Sequence, residues 1–331
     1  MILVTGGTGL VGAHLLLHLA AGDVPLRALY RNKATIAKTH NLFEHYNKLP
    51  LFRKIEWVQG DILDVPSLED AFEGVGFVYH CAALISYDPA DEDVLRKVNI
   101  EGTANVVNLA LAYSVKKFCH VSSVAALGDP REGEHIITEE TEWNPEANHH
   151  DYALSKYGAE MEVWRAWQEG LDVVIVNPGV IYGYGFWDQG SGEMFNAVKK
   201  GQLFYTRANI GTVVVSDLIS IMVRLMASDI SGERFTVVAE NLTLQEILNT
   251  IADGMGKKHP PFYATPLITS IGWRADWLLS MLLFRKRKLS RAMARSAHNI
   301  DVYDNSKVIN ALDYRFRDVK AFLKDPANTE Y

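Results

Sequence analysis

Tyr152-Ala-Leu-Ser-Lys156 sets a phenol and an ammonium four residues apart, and therefore on one face of a helix. A cation held there stabilises phenolate and draws a tyrosine pKa down from about 10, so the phenol exchanges a proton with a carbonyl or carbinol oxygen near neutral pH. Such pairs are also common on inert helix surfaces, and the chemistry rests on what accompanies them. His149 and His150 just upstream hint at a metal, but no third ligand stands at useful spacing. A solvated loop with no metal site is expected there.

The company is a phosphate cradle. Thr5-Gly6-Gly7-Thr8-Gly9-Leu10-Val11-Gly12 follows a strand pattern and leads into a helical one. Gly6 permits the tight turn, Gly9 lets backbone approach a pyrophosphate with no Cβ between, and Gly12 allows close packing of a helix whose N-terminus favours the anion. A dinucleotide is the expected ligand. A site for NAD(H) carries Asp or Glu near the end of the second strand to bond the ribose hydroxyls. Here Leu29-Tyr30-Arg31-Asn32-Lys33 offers no carboxylate, and Arg31 with Lys33 is placed to neutralise a 2'-phosphate. NADP(H) is favoured and NAD(H) is the alternative, in which Arg31 is a solvated strand-end cation. Asp61, in Gly60-Asp61-Ile62, can bond the adenine amino group at the sheet rim or cap a helix.

Positioning these groups takes repeated βαβ units. Short apolar runs at 1–5, 26–30, 55–59, 76–81, 117–122 and 171–176 read as strands covered on both faces. Helical spacing fills 11–21, 66–72, 91–113 and 152–168, with Gly22, Gly74 and Gly170 near the stops. The fold class is α/β, a doubly wound parallel (Rossmann) sheet. After Pro178 a Gly- and aromatic-rich loop begins a second, smaller lobe. We expect a dinucleotide-binding domain at 1–180, with 212–238 returning to its sheet, and a discontinuous substrate lobe at 181–211 and 239–331.

With 48% hydrophobic and 22% charged residues, the 331-residue chain has ample material for a core. Its net charge of -7 offers no basic field for a polyanion, so a small-molecule substrate is expected and nucleic acid is not. Cys81 and Cys119 both sit in apolar runs, which argues against a disulfide framework or a zinc site and for a reducing, cytoplasmic setting. The opening Met1-Ile2-Leu3-Val4-Thr5 goes straight into a strand pattern without a basic leader, so secretion is not expected.

Four motifs in order carry a resemblance. Thr-Gly-x-x-Gly-x-x-Gly at 5–12, Ser122-Ser123 closing the fifth strand, Tyr152-x-x-x-Lys156 and Asn177-Pro178-Gly179 make the chain similar to the extended short-chain dehydrogenase/reductases, also called the NAD-dependent epimerase/dehydratase family. Weaker features, Ser216-Asp217-Leu218 and Tyr303-Asp304-Asn305-Ser306-Lys307, extend the likeness almost to the end. The resemblance implies Tyr152 as general acid/base, Lys156 as its tuner and a binder of the nicotinamide ribose, and Ser123 as the hydroxyl that holds the substrate oxygen. Ser123 is preferred to Ser122 because the family's hydroxyl stands five residues before the glycine matched by Gly128. Strand alternation sends the two serine side chains to opposite faces. The resemblance also implies that Ala82 and Ala83 line the cofactor and that Pro178, Gly179 and Val180 face its carboxamide. Asn99 either braces the site or packs its helix.

Departures from the family's branches narrow the reaction. Dehydratases carry an acidic pair after the catalytic hydroxyl, whereas Val124-Ala125 follow Ser123. Nucleotide-sugar epimerases place an Arg just ahead of the segment matched by 213–218, where this chain has Asn209-Ile210-Gly211-Thr212, leaving only Arg207 or Arg234 for the task. What remains resembles the dihydroflavonol reductase and 3β-hydroxysteroid dehydrogenase group. A reductase is expected, an epimerase is the alternative, and the intact Ser, Tyr and Lys argue against a non-catalytic sensor. Tyr87, Tyr182, Tyr184, Phe186 and Trp187 are candidates for an aromatic substrate wall or for packing within the lobe.

A homodimer is expected. At 267–284 an apolar stretch runs into Arg285-Lys286-Arg287-Lys288. Arg274 and Asp276 keep it from spanning a bilayer. It suits a membrane surface, but the favoured reading has the apolar positions covering the pocket or a neighbouring subunit.

Overall fold

Runs that are apolar on both faces, such as 173–176, need cover on both sides, and alternating strand with helix supplies it. The computed structural model describes residues 1–130, 133–283 and 290–328. Its first part runs β1 (Ile2–Thr5), α1 (Leu10–Leu19), β2 (Leu26–Tyr30), α2 (Ile36–His45), α3 (Leu49–Phe52), β3 (Ile55–Gln59), α4 (Val65–Phe72) and β4 (Phe77–His80). There follow α5 (Glu92–Leu95), α6 (Gly102–Ala112), β5 (Lys117–Val121), a short β6 (Ile136–Ile137), α7 (Asp151–Gln168) and β7 (Val173–Pro178). Next come β8 (Val180–Tyr182), α8 (Gly192–Lys199), β9 (Phe204–Tyr205), β10 (Asn209–Val214), α9 (Val215–Ala227), β11 (Glu233–Val237), β12 (Glu240–Thr243) and α10 (Leu244–Gly254). The rest holds β13 (Phe262–Tyr263), α11 (Pro266–Leu283), α12 (Arg291–Ser296), β14 (Val302–Tyr303), α13 (Ser306–Leu312) and α14 (Val319–Lys324).

The central sheet is parallel throughout, in the order β11-β7-β5-β4-β1-β2-β3. The strand order reverses between β1 and β4, and the crevice at their carboxyl ends is where such sheets take ligands. One face is packed by residues of α1, α2 and α9, including Leu15, Leu16, Phe43, Leu218 and Met222. The other is packed by α4, α6 and α7 through Leu68, Phe72, Val107 and Val163. A third core, with Phe195, Ile247, Ile251 and Phe322, joins α8, α10 and α14.

Two expectations need correction. The helix expected over 91–113 is interrupted by a π-helical segment, Arg96–Glu101. The stretch 212–238 also splits. β11 pairs with β7 in the main sheet and α9 covers that sheet, but β10 lies in a separate sheet between β8 and β12. The chain leaves the main sheet at Gly179, where any Cβ would fall 2.2 Å from the Gly211 carbonyl oxygen, so the two backbones cross there and β8 runs on beside β10.

The core holds three histidines that burial keeps neutral. His14 is lowered to about 4, His80 to about 3, and His120 well below its ordinary value. His80 is bonded at both nitrogens, to Thr5 Oγ1 (2.7 Å) and Thr103 Oγ1 (3.0 Å). His120 stacks on it at 5.4 Å, and neither of its nitrogens has a hydrogen-bond partner among the described residues. The unfolded chain takes up these protons below about pH 6.5 and the folded one does not, so stability falls as pH drops from there. His120→Leu removes two unpaired buried nitrogens, each type of loss relieving about 1–3 kcal/mol. It is expected to raise Tm by a few degrees at pH 7 and to shrink the fall in Tm between pH 7 and 5. An unchanged pH dependence in thermal melts would show that His120 is not a buried neutral base.

Candidate active site

The glycine loop lies where β1 passes into α1. Gly6 has φ +69°, and a Cβ on it would sit 2.7 Å from Ala82 N, so loop and β4 end cross at contact distance. A Cβ on Gly12 would meet Gly6 O at 2.2 Å. Gly9 differs: its backbone is extended, and a Cβ there would meet only Gly6 O, at an ordinary 3.5 Å. The fold explains Gly6 and Gly12 but leaves Gly9 unexplained. Gly9 is also the N-cap of α1, makes no side-chain cap, and leaves the N–H groups of Leu10 and Val11 at a helix start without a carboxylate. An anion pressed against backbone accounts for both features, so the loop fits a pyrophosphate. Thr5 does not serve it through its side chain, because its buried hydroxyl is engaged by His80 and Ala82 N.

At the rim, Arg31 follows β2 with its side chain 71% exposed, 3.9 Å from Asp61 Oδ2. Asp61 Oδ1 accepts from Leu63 N, a local turn, and the cap of α4 falls instead on Asp64. Ile62 is buried beneath Gly102, whose Cβ would lie 2.6 Å from Ile62 Cδ1, so it is a packing residue with no exposed side chain to offer a ligand. Ala83 is exposed beyond β4, and Ala82 is half-buried beside it. Asn99, in the π-helical segment, donates to Leu84 O (2.9 Å) and Ser155 Oγ (2.8 Å) and accepts from Leu84 N (2.7 Å). It ties the post-β4 loop to α7, and the π-bulge turns it there. Pro178 closes β7 buried in the sheet, and Gly179 and Val180 lead into β8.

Ser123 follows the end of β5 and caps the next turn, its Oγ accepting from Ala125 N at 3.1 Å. Ser122 is buried and turned toward Glu160. Tyr152 and Lys156 share one face of α7, both buried, and the Ser123 side chain is close enough to the Tyr152 phenol to favour its ionised form. Lys156 Nζ donates to Val121 O (2.8 Å), and burial pushes it down to about 8. The expected depression of Tyr152 is absent: burial, and then the nearby Tyr87, hold it above its ordinary value against the opposing effect of Ser123. The Lys156 ammonium does not offset this in the resting site, being buried and donating one of its protons to Val121 O.

Sequence reading missed the groups behind this face. Glu160, four residues beyond Lys156 and fully buried, accepts from Asn177 Nδ2 (2.5 Å) and from Arg234 Nη1 (3.3 Å). The same Asn177 amide donates to Ser123 O (3.0 Å), and Arg234 also donates to Glu139 O. This network fixes the strand end that carries Ser123. An acid continuing the 152, 156 series on a buried helix face was the available signal. The solvated loop expected at His149 and His150 needs correction at His150. It is mostly buried rather than solvated, its Nδ1 capping α7 by accepting from Ala153 N (3.0 Å), while His149 stacks on Trp143 at 3.8 Å.

The aromatic wall breaks up. Tyr87 stays at the site, half exposed, its ring 5.8 Å from Tyr152 and 5.4 Å from His150. Tyr182 is 1% exposed with its hydroxyl on Met194 Sδ, a core residue of the lobe. Tyr184 stacks on His45 of α2 at 3.6 Å, Phe186 is buried, and Trp187 packs edge-on to Phe195. These four take packing roles. Tyr303, from the weaker 303–307 feature, is pushed up to about 12 by burial first and then by Asp301 and Tyr87.

The profile of the NAD dependent epimerase/dehydratase family matches residues 2–237. Sterol demethylase protein B of Methylococcus capsulatus is 30% identical over 266 residues, 80% of this chain and 77% of that protein. A putative dihydroflavonol 4-reductase of Synechocystis sp. is 29% identical over 335 residues, covering 97% of this chain and 92% of the other. The crystal structure of gox2253 superposes with a TM-score of 0.80 at 25% identity, over 98% of this chain and 96% of that one.

Proposed function

The chain belongs to the NAD dependent epimerase/dehydratase family, and within it we propose an NADP(H)-dependent reductase that acts on a carbonyl or secondary alcohol of a flat, apolar small molecule. An NAD(P)-dependent enzyme of the short-chain dehydrogenase/reductase type follows from the family itself. The observation that carries the finer reading is the face shared by Ser123, Tyr152 and Lys156, with Val124 and Ala125 rather than carboxylates next to the serine.

When bound, the nicotinamide supplies the hydride. Thr5 to Gly12 and the α1 N-terminus hold the pyrophosphate, and Asn99 fixes the loop of Ala82 and Ala83 that borders it. Ser123 donates to the substrate oxygen and Tyr152 gives its proton to the same atom. Burial keeps the phenol protonated, which is the form a reduction consumes. Lys156, still an ammonium at neutral pH, is positioned one helical turn away to neutralise the phenolate that remains.

Support for a reductase over an epimerase comes from the two arginines of which an epimerase would need one. Arg234 is committed to Glu160 and Glu139, and Arg207 lies over the Tyr263 ring at 5.2 Å. Support for the substrate class comes from Tyr87 beside Tyr152, and from the sterol and dihydroflavonol, both fused-ring alcohols, in the relatives' names. The test is consumption of NADPH by the purified protein over fused-ring ketones. Turnover with exchangeable NADPH is expected, whereas tightly retained NAD without carbonyl turnover would overturn the reading in favour of epimerisation.

Arg31 carries the choice of cofactor. Losing a charge-assisted phosphate contact costs about 1.5–3 kcal/mol, so Arg31→Ala is expected to raise KM for NADPH by roughly 10- to 100-fold and leave KM for NADH unchanged. Equal changes for both cofactors in steady-state assays would remove the preference for NADP(H).

A further inference from the structure

α11 is amphipathic in the wrong sense for a helix facing water. Its inward face carries Thr269, Trp273, Asp276 and Ser280, all buried or half-buried, and Thr269 Oγ1 is bonded to His298 Nε2 at 2.9 Å. At the helical repeat on the opposite side stand Leu267, Ile271, Leu278, Met281 and Leu282, between 47% and 70% exposed. Surface helices ordinarily turn their apolar stripe to the core. The stripe is open to solvent, so of the two covers expected for it, the substrate pocket and a neighbouring subunit, the exposure speaks against the first only. The stripe is about 22 Å long, from a rise of 1.5 Å per residue. Phe204 and Phe262, in ring contact at 5.8 Å and each about half exposed, precede it in β9 and β13.

Charge around this helix opposes that of the chain. Between 266 and 300 there are seven arginines and lysines and a single carboxylate, Asp276, in a protein of net charge -7. Arg285 to Lys288 lie outside the described residues, but chain connectivity alone keeps them within a few residues of the helix end at Leu283. In α12, Arg291 and Arg295 are exposed one turn apart. Arg274, the cation amid the apolar stripe, lies over the Trp273 ring at 4.6 Å and donates to Ser270 O, so its stem lies along the helix. Among the described residues no helix is long and apolar enough to cross a membrane.

We infer that α11 lies in the surface of an anionic phospholipid bilayer, with Leu267, Ile271, Leu278 and Leu282 in the acyl boundary and the exposed cations Arg274, Arg291 and Arg295 at the headgroups. An apolar stripe buries into that boundary without spanning it, and a clustered basic segment is attracted to anionic lipid. A soluble acidic partner would take the charge but leave the stripe wet. The inference stands apart from the reaction: it needs neither cofactor nor substrate.

The test is flotation of the full chain with phosphatidylcholine vesicles containing roughly one-third phosphatidylserine, against phosphatidylcholine alone. Wild type is expected to float at low salt with the anionic vesicles, to bind the neutral ones at least tenfold more weakly, and to be released as salt rises. Leu278→Glu with Leu282→Glu, both at exposed positions, is expected to abolish flotation with Tm unchanged. Replacing Arg291 and Arg295 by Gln is expected to weaken it about tenfold. Protein that stays at the bottom at low salt overturns the inference, as does flotation indifferent to the Glu pair. Wild type that sediments as a dimer, is split to monomers by the Glu pair and ignores vesicles would assign the face to a second copy of the chain and overturn it too.

Discussion

Tyr152→Phe is expected to lower kcat by about 100- to 10,000-fold, the range associated with a positioned proton donor, while the Kd for NADPH stays close to that of wild type. The phenol lies near Ser123, and its ring is packed beside Tyr87 and His150. Removing the oxygen thus leaves the packing of α7 in place and takes away only the proton. Lys156→Ala should behave differently. Its ammonium holds the Val121 carbonyl at the end of β5, and the family resemblance makes it a binder of the nicotinamide ribose as well. Both nucleotide affinity and kcat should fall, and thermal stability with them. Single-turnover measurements with NADPH separate the two variants. A Tyr152→Phe enzyme that retains activity within about tenfold would take the acid/base role away from this residue.

What the sequence made legible follows from how local each signal is. The glycine loop, the strands 26–30 and 55–59 and the face shared by Tyr152 and Lys156 are set by spacings of a few residues, and the fold keeps them where those spacings put them. The tuning of Tyr152 was not legible. It depends on how deep α7 sits and on which carbonyl Lys156 reaches, and Val121 is 35 residues away in the chain. The Glu160 network was hidden for the same reason, since its partners Asn177 and Arg234 arrive from β7 and β11.

Aromatic side chains misled for a related cause. Tyr182 ends β8 and packs in the lobe core, whereas Tyr184 lies beyond the strand, where its alternation no longer directs side chains, and packs against α2. A ring on a loop satisfies whichever apolar surface is nearest, and composition does not say which that is. By contrast, the periodicity of 266–283 could have been read: placing the polar residues 269, 276 and 280 together on one side of a helix already makes the other side apolar. Which side faces the protein is decided by α12 and His298, and that takes the structure.

Gly9 and Gly12 offer the sharpest separation of fold from ligand, because the same type of residue is demanded by the chain at one position and not at the other. At Gly12 a Cβ would lie 2.2 Å from Gly6 O and 2.9 Å from Gly7 Cα, both backbone atoms that cannot swing aside. Gly12→Ala must push α1 off β1, and with Leu15 and Leu16 fully buried under that helix a clear fall in Tm is expected. At Gly9 the backbone is extended, with φ -94° and ψ 172°, and the nearest atom to a Cβ is at van der Waals distance. A serine there has the dihedrals of a good N-cap and can accept from the free N–H groups of the first turn of α1. Gly9→Ser should therefore match or exceed wild type in Tm without nucleotide. The same hydroxyl, however, occupies the place proposed for the pyrophosphate and consumes its donors. Two charge-assisted hydrogen bonds lost at about 1.5–3 kcal/mol each correspond to a weakening of NADPH binding by roughly 100-fold or more. Thermal melts without nucleotide and fluorescence titration with NADPH read the two effects independently. Nucleotide binding by Gly9→Ser at wild-type affinity would mean that the loop does not cradle a phosphate, whatever its glycines do for the fold.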